Sequence, residues 1–171
     1  MSYWILVFNP QPIDEINPEE LSAALTRSNF HTLCKQYELN AAMIEPALEN
    51  LSVKIAPEAA ALAFLLNYQS ETEPSIPVYC WPARSEKGTE LLAKALAAAD
   101  SIAVFGLLHR CSQIIGIELS SAQLQDMGLL LGYEIARWAA DSGGGLVRGL
   151  DGIWYRLNRH LAFLTLEEPI H

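Results

Sequence analysis

The sequence predicts an α+β fold, a single domain of residues 1–171 with three to four helices packed on a mixed or mainly antiparallel sheet. Hydrophobic residues make up 51% and charged residues 18% of the chain, which is typical of a folded globular domain. Strand and helix patterns follow one another in irregular order rather than as repeated strand–helix units. The chain ends in the pattern of a long helix followed by a β-hairpin.

The N-terminal segments predict a strand and then a helix. Residues 3–8 (Tyr-Trp-Ile-Leu-Val-Phe) are aliphatic or aromatic without alternation, which predicts a strand buried on both faces. Asn17, Pro18 and Glu20 form the start of a helix that we expect to run to about Arg27. Residues 30–39 are compatible with either element.

The next segment contains a proline that limits any helix. Asn40 is placed to cap a helix over residues 41–49, but Pro46 would kink or end it. Residues 51–56 alternate in the manner of a half-buried strand. Residues 57–68 are rich in alanine and leucine and begin with proline, which predicts a helix.

The middle of the chain predicts a loop over residues 70–75 and then a strand over residues 76–81. Because prolines bracket this strand and proline donates no hydrogen bond, we expect it at an edge of the sheet. Ser85 is placed to cap a helix that extends to about Ala99. Residues 101–111 have helical spacing, and residues 113–119 predict a strand.

The C-terminal third has the clearest local signals. Residues 120–123 (Ser-Ser-Ala-Gln) match a capping box for a long helix to about Asp141. Residues 143–145 are all glycine and follow that helix, so they predict its end and not a phosphate-binding turn. Asp151-Gly152 predicts a hairpin over residues 146–157. Residues 161–166 predict a last strand.

The charge of the chain argues against several classes of partner. The net charge is −9, and residues 1–142 carry 17 acidic and eight basic side chains. Such a protein repels phosphate backbones and anionic lipid headgroups, so we expect neither nucleic-acid nor membrane binding. The start of the chain lacks the pattern of a signal peptide, and its three cysteines have no CxxC spacing. We therefore expect a cytoplasmic protein with reduced, buried thiols.

No pattern in the sequence predicts a catalytic group, a metal ligand set or a cofactor site. His31 and Cys34 share a face only on a helix, and His109 and Cys111 share a side only on a strand. Each pair is too small to form a metal site without distant residues. Glu118 is the carboxylate of most interest, because it interrupts an otherwise apolar strand.

A cluster of aromatic and basic residues in the C-terminal hairpin is the most suggestive feature. Arg148, Trp154, Arg156 and Arg159 lie close together in an otherwise acidic chain. Alternation places Trp154 and Arg156 on one face, which would look toward solvent or a helix, while residues 153, 155 and 157 face the core. Trp and Arg dominate protein interfaces. The alternative is that Trp154 packs under the long helix and the arginines pair with the chain's own acids.

These observations favour a non-enzymatic protein-interaction domain: an adaptor, an inhibitor or an immunity-type protein that contacts a protein partner or a second copy through the hairpin. Two other classes remain open. One is a small-molecule-binding domain with an apolar pocket. The other is a small hydrolase or transferase whose site is assembled from Glu118, His109, Cys111 and His31.

Overall fold

A computed structural model describes residues 1–56, 61–70 and 73–166 of the chain. It contains eight strands, β1 Ser2–Asn9, β2 Ser52–Ile55, β3 Leu62–Asn67, β4 Ile76–Pro82, β5 Gln113–Ser120, β6 Leu146–Arg148, β7 Trp154–Leu157 and β8 Phe163–Thr165. The α-helices are α1 Pro18–Thr26, α2 Phe30–Gln36, α3 Ile44–Glu49, α4 Glu86–Ala97, α5 Ile102–Leu108 and α6 Met127–Gly143. The α+β class is therefore confirmed, with more helices and strands than the sequence predicted.

The eight strands form one antiparallel sheet in the order β2-β3-β4-β5-β1-β6-β7-β8. The first strand therefore lies near the middle of the sheet, which explains why its sequence does not alternate. We call its two faces the inner and outer faces. Residues of α1, α2, α3 and α6 pack on the inner face, in a core that includes Ile5 and Val7. Residues of α4 and α5 pack on the outer face, in a second core around Phe8.

Local signals place most helix ends correctly. The side chain of Asn17 accepts from the backbone N–H groups of residues 19 and 20, and Ser85 Oγ accepts from Gly88 N–H. Ser120 and Gln123 form the predicted reciprocal pair of hydrogen bonds, at 3.3 and 2.8 Å. This pair caps a 3₁₀ turn over Gln123–Gln125, whereas α6 begins later and is capped by Asp126.

The helix predicted over residues 57–68 is wrong where the structure describes it. Residues 62–67 form β3, which pairs with both β2 and β4, and residues 57–60 lie outside the described ranges. Alanine and leucine favour a helix locally, but Phe64 and Leu66 are fully buried in the inner core only as strand residues. Tertiary packing therefore overrides helix propensity here.

The edge position predicted for residues 76–81 is also wrong, because β4 pairs with β3 on one side and β5 on the other. Its prolines are accommodated at the ends of the second ladder: Val78 is the first residue paired with β5, and Pro82 is the last. In the described part of the chain, none of the helices has the length and hydrophobicity needed to cross a membrane.

The hairpin and the final strand are confirmed. Strands β6 and β7 pair as predicted, and the connecting loop of residues 149–153 contains Gly152 at a φ of +76°. Gly144, at a φ of +66°, ends α6 in the left-handed region that glycine adopts without strain.

Candidate functional site

The hairpin residues Arg148, Trp154 and Arg156 lie on the outer face of the sheet. Arg148 pairs with Trp154, and Arg156 pairs with Leu146, whose side chain belongs to the outer core. Tyr155 faces the inner core, as the alternation predicted. Ile153 precedes the strand and is exposed, contrary to the prediction.

Of the alternatives for Trp154, exposure to solvent is wrong and packing against helices is confirmed, but the helices are α4 and α5 and not the long helix α6. The Trp154 side chain is only 2% exposed, and its ring lies 5.7 Å from that of Phe8. Val104 and Leu108 of α5 and Ala95 of α4 belong to the same core. Helices α4 and α5 therefore pack against Trp154, and its side chain is not accessible to a partner.

The three arginines differ in position. The Arg148 guanidinium lies 5.0 Å from the centre of the Trp154 ring, a cation–π contact that orients it. Arg156 is exposed on β7, whereas Arg159 follows the strand and donates to His160 Nε2 at 3.2 Å. In the described ranges the ion pairs are Lys87–Glu90, Lys94–Glu90 and Arg137–Glu134. Arg148 and Arg156 therefore have no carboxylate partner among those residues.

A groove of about 310 Å³ runs between α4 and the β6–β7 loop, and we call it the outer groove. Trp4, Leu6 and Phe8 of β1 form its apolar floor. Arg148 lies on one wall and Lys94 on the other, where Glu90 already holds the Lys94 ammonium at 2.7 Å. The groove thus combines an apolar floor with one guanidinium that is unpaired in the described structure.

Three aromatic side chains extend the groove across the outer face, and we call Trp4, Tyr79 and Trp81 the aromatic patch. The Tyr79 and Trp81 rings stack with 5.4 Å between their centres and 4° between their planes. The Trp4 ring lies 5.5 Å from Tyr79 and 6.1 Å from Trp81. Trp4 is 36% exposed, and the other two are half-buried. Large aromatic groups that are partly open to solvent are typical of binding surfaces.

Gly116 makes this arrangement possible. It lies on β5 between the strands that carry the three rings, and a Cβ there would sit 2.6 Å from the Trp81 ring and 3.0 Å from that of Trp4. Sequence reasoning missed the aromatic patch. The i, i+2 spacing of Tyr79 and Trp81 was a usable signal, but nothing local places Trp4 beside them.

Glu118 lies at the border of the aromatic patch, where two hydrogen bonds hold its carboxylate. Its carboxylate accepts from Ser2 Oγ at 2.5 Å and from Tyr79 O–H at 3.3 Å. Burial, and then the neighbouring Glu118 charge, raise the pKa of Tyr79, so its hydroxyl stays a donor. These bonds explain how a charge is accommodated in an otherwise apolar strand.

The other residues of chemical interest are not brought together. His31 is exposed while Cys34 is buried, and His109 packs edge-on against Phe105 at 4.4 Å. Burial raises the pKa of the Cys111 thiol to about 11, which keeps it protonated. Among the residues that the structure describes, no group of three His, Cys, Asp or Glu side chains is arranged to hold a metal ion.

Comparison with known proteins does not assign this chain to a family. The chain matches no family model, no curated protein and no solved structure.

Proposed function

We propose that this chain is a protein-interaction domain that binds a segment of a partner protein in the outer groove and on the aromatic patch. The segment would carry an aliphatic or aromatic side chain for the floor and a carboxylate for Arg148. The observation that supports this most directly is the guanidinium of Arg148, oriented by Trp154 and without an ion pair in the described structure, beside the partly exposed Trp4.

The chemistry of the groove favours an acidic and apolar segment over other occupants. A planar guanidinium that is already stacked loses little conformational freedom when it binds a carboxylate with two hydrogen bonds. The floor supplies the apolar area on which most binding energy depends. Lys94 and Lys87 share the single carboxylate of Glu90, so these three side chains carry a net positive charge opposite Arg148. An acidic segment therefore meets opposite charge locally even though the whole chain has a net charge of −9.

The distribution of charge also bears on self-association. Residues 10–50, which include α1–α3 of the inner side, carry seven acids and two bases, whereas residues 84–111, with α4 and α5, carry three acids and four bases. The inner helices of a second copy are therefore one source of the carboxylates that the outer groove would accept. A homodimer is an outcome that the experiment must distinguish from a separate partner.

The separation of His31, His109, Cys111 and Glu118 removes the support that the sequence offered for a hydrolase or transferase. His31 lies on α2, His109 and Cys111 in the connection between α5 and β5, and Glu118 on β5. Glu118 and His109 are each engaged by neighbours within the fold. A binding role is the function that the arrangement supports best.

The test is selection from a display library of random short peptides against the purified chain. We expect enriched peptides that combine Asp or Glu with an aliphatic or aromatic residue, and we expect Arg148→Ala to weaken a selected peptide at least about tenfold, or about 1.4 kcal/mol. Trp4→Ala should weaken it as well. Arg159→Ala is the matched control, because it removes an arginine that lies off this surface, and it should change the affinity less than about twofold.

Two results would overturn the proposal. One is selection of peptides with no acidic preference; the other is a selected peptide that binds the folded Arg148→Ala and Trp4→Ala variants as tightly as the wild type. Light scattering decides the nature of the partner: a wild-type dimer that Arg148→Ala dissociates would show that the bound segment belongs to a second copy.

A further inference from the structure

The inner side of the molecule contains a second cavity, of about 400 Å³, which shares the β6–β7 loop with the outer groove but is lined by different residues. It lies between α2, α6, the β6–β7 loop and the segment that carries β8. Four aromatic rings line it, those of Tyr37, Tyr133, Tyr155 and Phe163, together with the carboxylate of Asp151. Its volume is in the range of small-molecule sites.

The rings stand at steep angles to one another. The Phe163 ring lies 6.1 Å from that of Tyr133 at 74° and 5.9 Å from that of Tyr155 at 67°. Because all four aromatic residues line the cavity, a group inside it lies against several aromatic rings. The face of an aromatic ring carries negative potential and attracts cations.

The polar groups of the cavity supply one negative charge. Asp151 Oδ2 accepts from Tyr155 O–H at 2.7 Å, and Oδ1 accepts from Ile153 N–H at 2.9 Å. Asp151 pairs with no lysine or arginine of the described ranges. Burial raises the pKa of Tyr133 to about 12 and also raises the pKa of Tyr155, so both hydroxyls are neutral near pH 7.

Arg137 is the one base among the described residues that line the cavity, and it is already paired with a carboxylate. Arg137 donates to both carboxylate oxygens of Glu134 at 3.1 Å and also to the carbonyl oxygen of Leu161. Its guanidinium lies 4.7 Å from the centre of the Phe163 ring. The ring therefore already receives a cation at one position, and Glu134, which lies outside the lining, balances the charge of Arg137.

We propose that this cavity binds an organic cation of the alkylammonium class, held by the faces of the tyrosines and by the carboxylate of Asp151. An anion would be repelled by Asp151. A neutral apolar molecule would gain the ring contacts but leave the carboxylate without a counter-charge. The cavity thus has the composition of an aromatic cage with one anionic wall.

The test compares choline with 3,3-dimethyl-1-butanol, its neutral isostere, in titrations of the full chain followed by NMR. We expect saturable binding of choline with a Kd on the order of 1 mM, upfield shifts of its methyl protons from the surrounding rings, and at least about tenfold weaker binding of the isostere. Contacts between the choline methyl protons and the ring protons of Tyr133 or Phe163 should be visible as nuclear Overhauser effects.

Variants at the open side of the cavity test the residues directly. Tyr37 is 43% exposed and its hydroxyl forms no hydrogen bond among the described residues, so it is replaceable without loss of the fold. We expect Tyr37→Leu to weaken choline binding about fivefold. Tyr37→Phe keeps the ring and should change the affinity for choline less than about twofold. Asp151→Asn keeps an acceptor for Ile153 N–H but removes the negative charge, and it should weaken choline binding about tenfold.

The proposal is overturned if choline does not bind saturably, if the isostere binds as well as choline, or if Tyr37→Leu and Asp151→Asn bind choline as the wild type does. None of these outcomes affects the outer groove, because Tyr37 and Asp151 do not line it.

Discussion

Replacement of Trp154 tests the outer half of the fold most directly. A buried Trp removes about 150–250 Å² from water, and 25 cal/mol per Å² converts this to about 4–6 kcal/mol. A compact denatured state reduces that figure by about 10–40%. The indole N–H contributes little, because its distance of 3.5 Å to Ala98 O is at the limit for a hydrogen bond. We therefore expect Trp154→Ala to lower the free energy of unfolding by about 4 kcal/mol, within the range typical of buried aromatics.

Urea unfolding followed by circular dichroism measures this loss. With a slope of about 2 kcal/mol per molar urea, the midpoint should fall by about 2 M. Trp154→Phe keeps a ring beside Phe8 and should cost about half as much. Trp4→Ala removes a residue that is 36% exposed, and we expect it to lower the free energy of unfolding by about 2 kcal/mol. A loss below about 1 kcal/mol in a folded Trp154→Ala variant would refute the conclusion that α4 and α5 pack on this side chain.

Three further predictions follow from local contacts. Gly145→Ala should destabilise the chain by about 2–3 kcal/mol in urea unfolding, because the new Cβ would lie 1.9 Å from Asn9 Oδ1 and 2.9 Å from a backbone oxygen. Gly106→Ala on α5 meets nothing within 4 Å and should stabilise the chain by about 0.5–1 kcal/mol, so similar values for the two variants would contradict the geometry. Arg137→Met should lower the free energy of unfolding by about 2 kcal/mol in the same assay. The substitution leaves Glu134, which is only 5% exposed, with the Ser28 hydroxyl as its side-chain partner among the described residues. An unchanged midpoint would show that the Arg137–Glu134 pair is dispensable. Burial raises the pKa of every cysteine thiol, that of Cys111 to about 11. At pH 8 the half-buried Cys111 should therefore react with Ellman's reagent at least about 100-fold more slowly in the native chain than in urea, and rapid native labelling of Cys111 would contradict the raised pKa of its thiol.

Several predictions that depended on neighbouring residues agree with the structure, although the capping box at Ser120 caps a 3₁₀ turn and not α6. Asn17 and Ser85 cap helices because a side-chain oxygen two or three residues away satisfies a free N–H group at the helix start. The glycine run over residues 143–145 begins with the last residue of α6 and ends the helix through the left-handed conformation of Gly144. The β6–β7 hairpin also forms where its turn residues predicted it. In each case the deciding contacts lie within a few residues of one another.

The candidate sites depended on contacts that no local pattern contains. The aromatic patch needs Trp4 from β1 and Tyr79 and Trp81 from β4, separated by β5 with a glycine between the rings. The second cavity joins Tyr37 of the region after α2 to Asp151, more than 100 residues later. The sequence predicted an interaction surface on the hairpin, and of its residues Arg148 lines the outer groove, but no local pattern indicated that Trp4 and the aromatic patch would lie beside it.

The sequence by itself determined the α+β class, the caps and turns, and the alternation that puts Trp154 and Arg156 on one face of β7. Only the tertiary structure decided that α4 and α5 cover Trp154, and that residues 62–67 pair as a strand despite their helix propensity. The physical reason is the range of the interactions. Caps and turns satisfy hydrogen bonds among near neighbours, whereas burial and strand pairing depend on which distant segments compete for the same apolar surface.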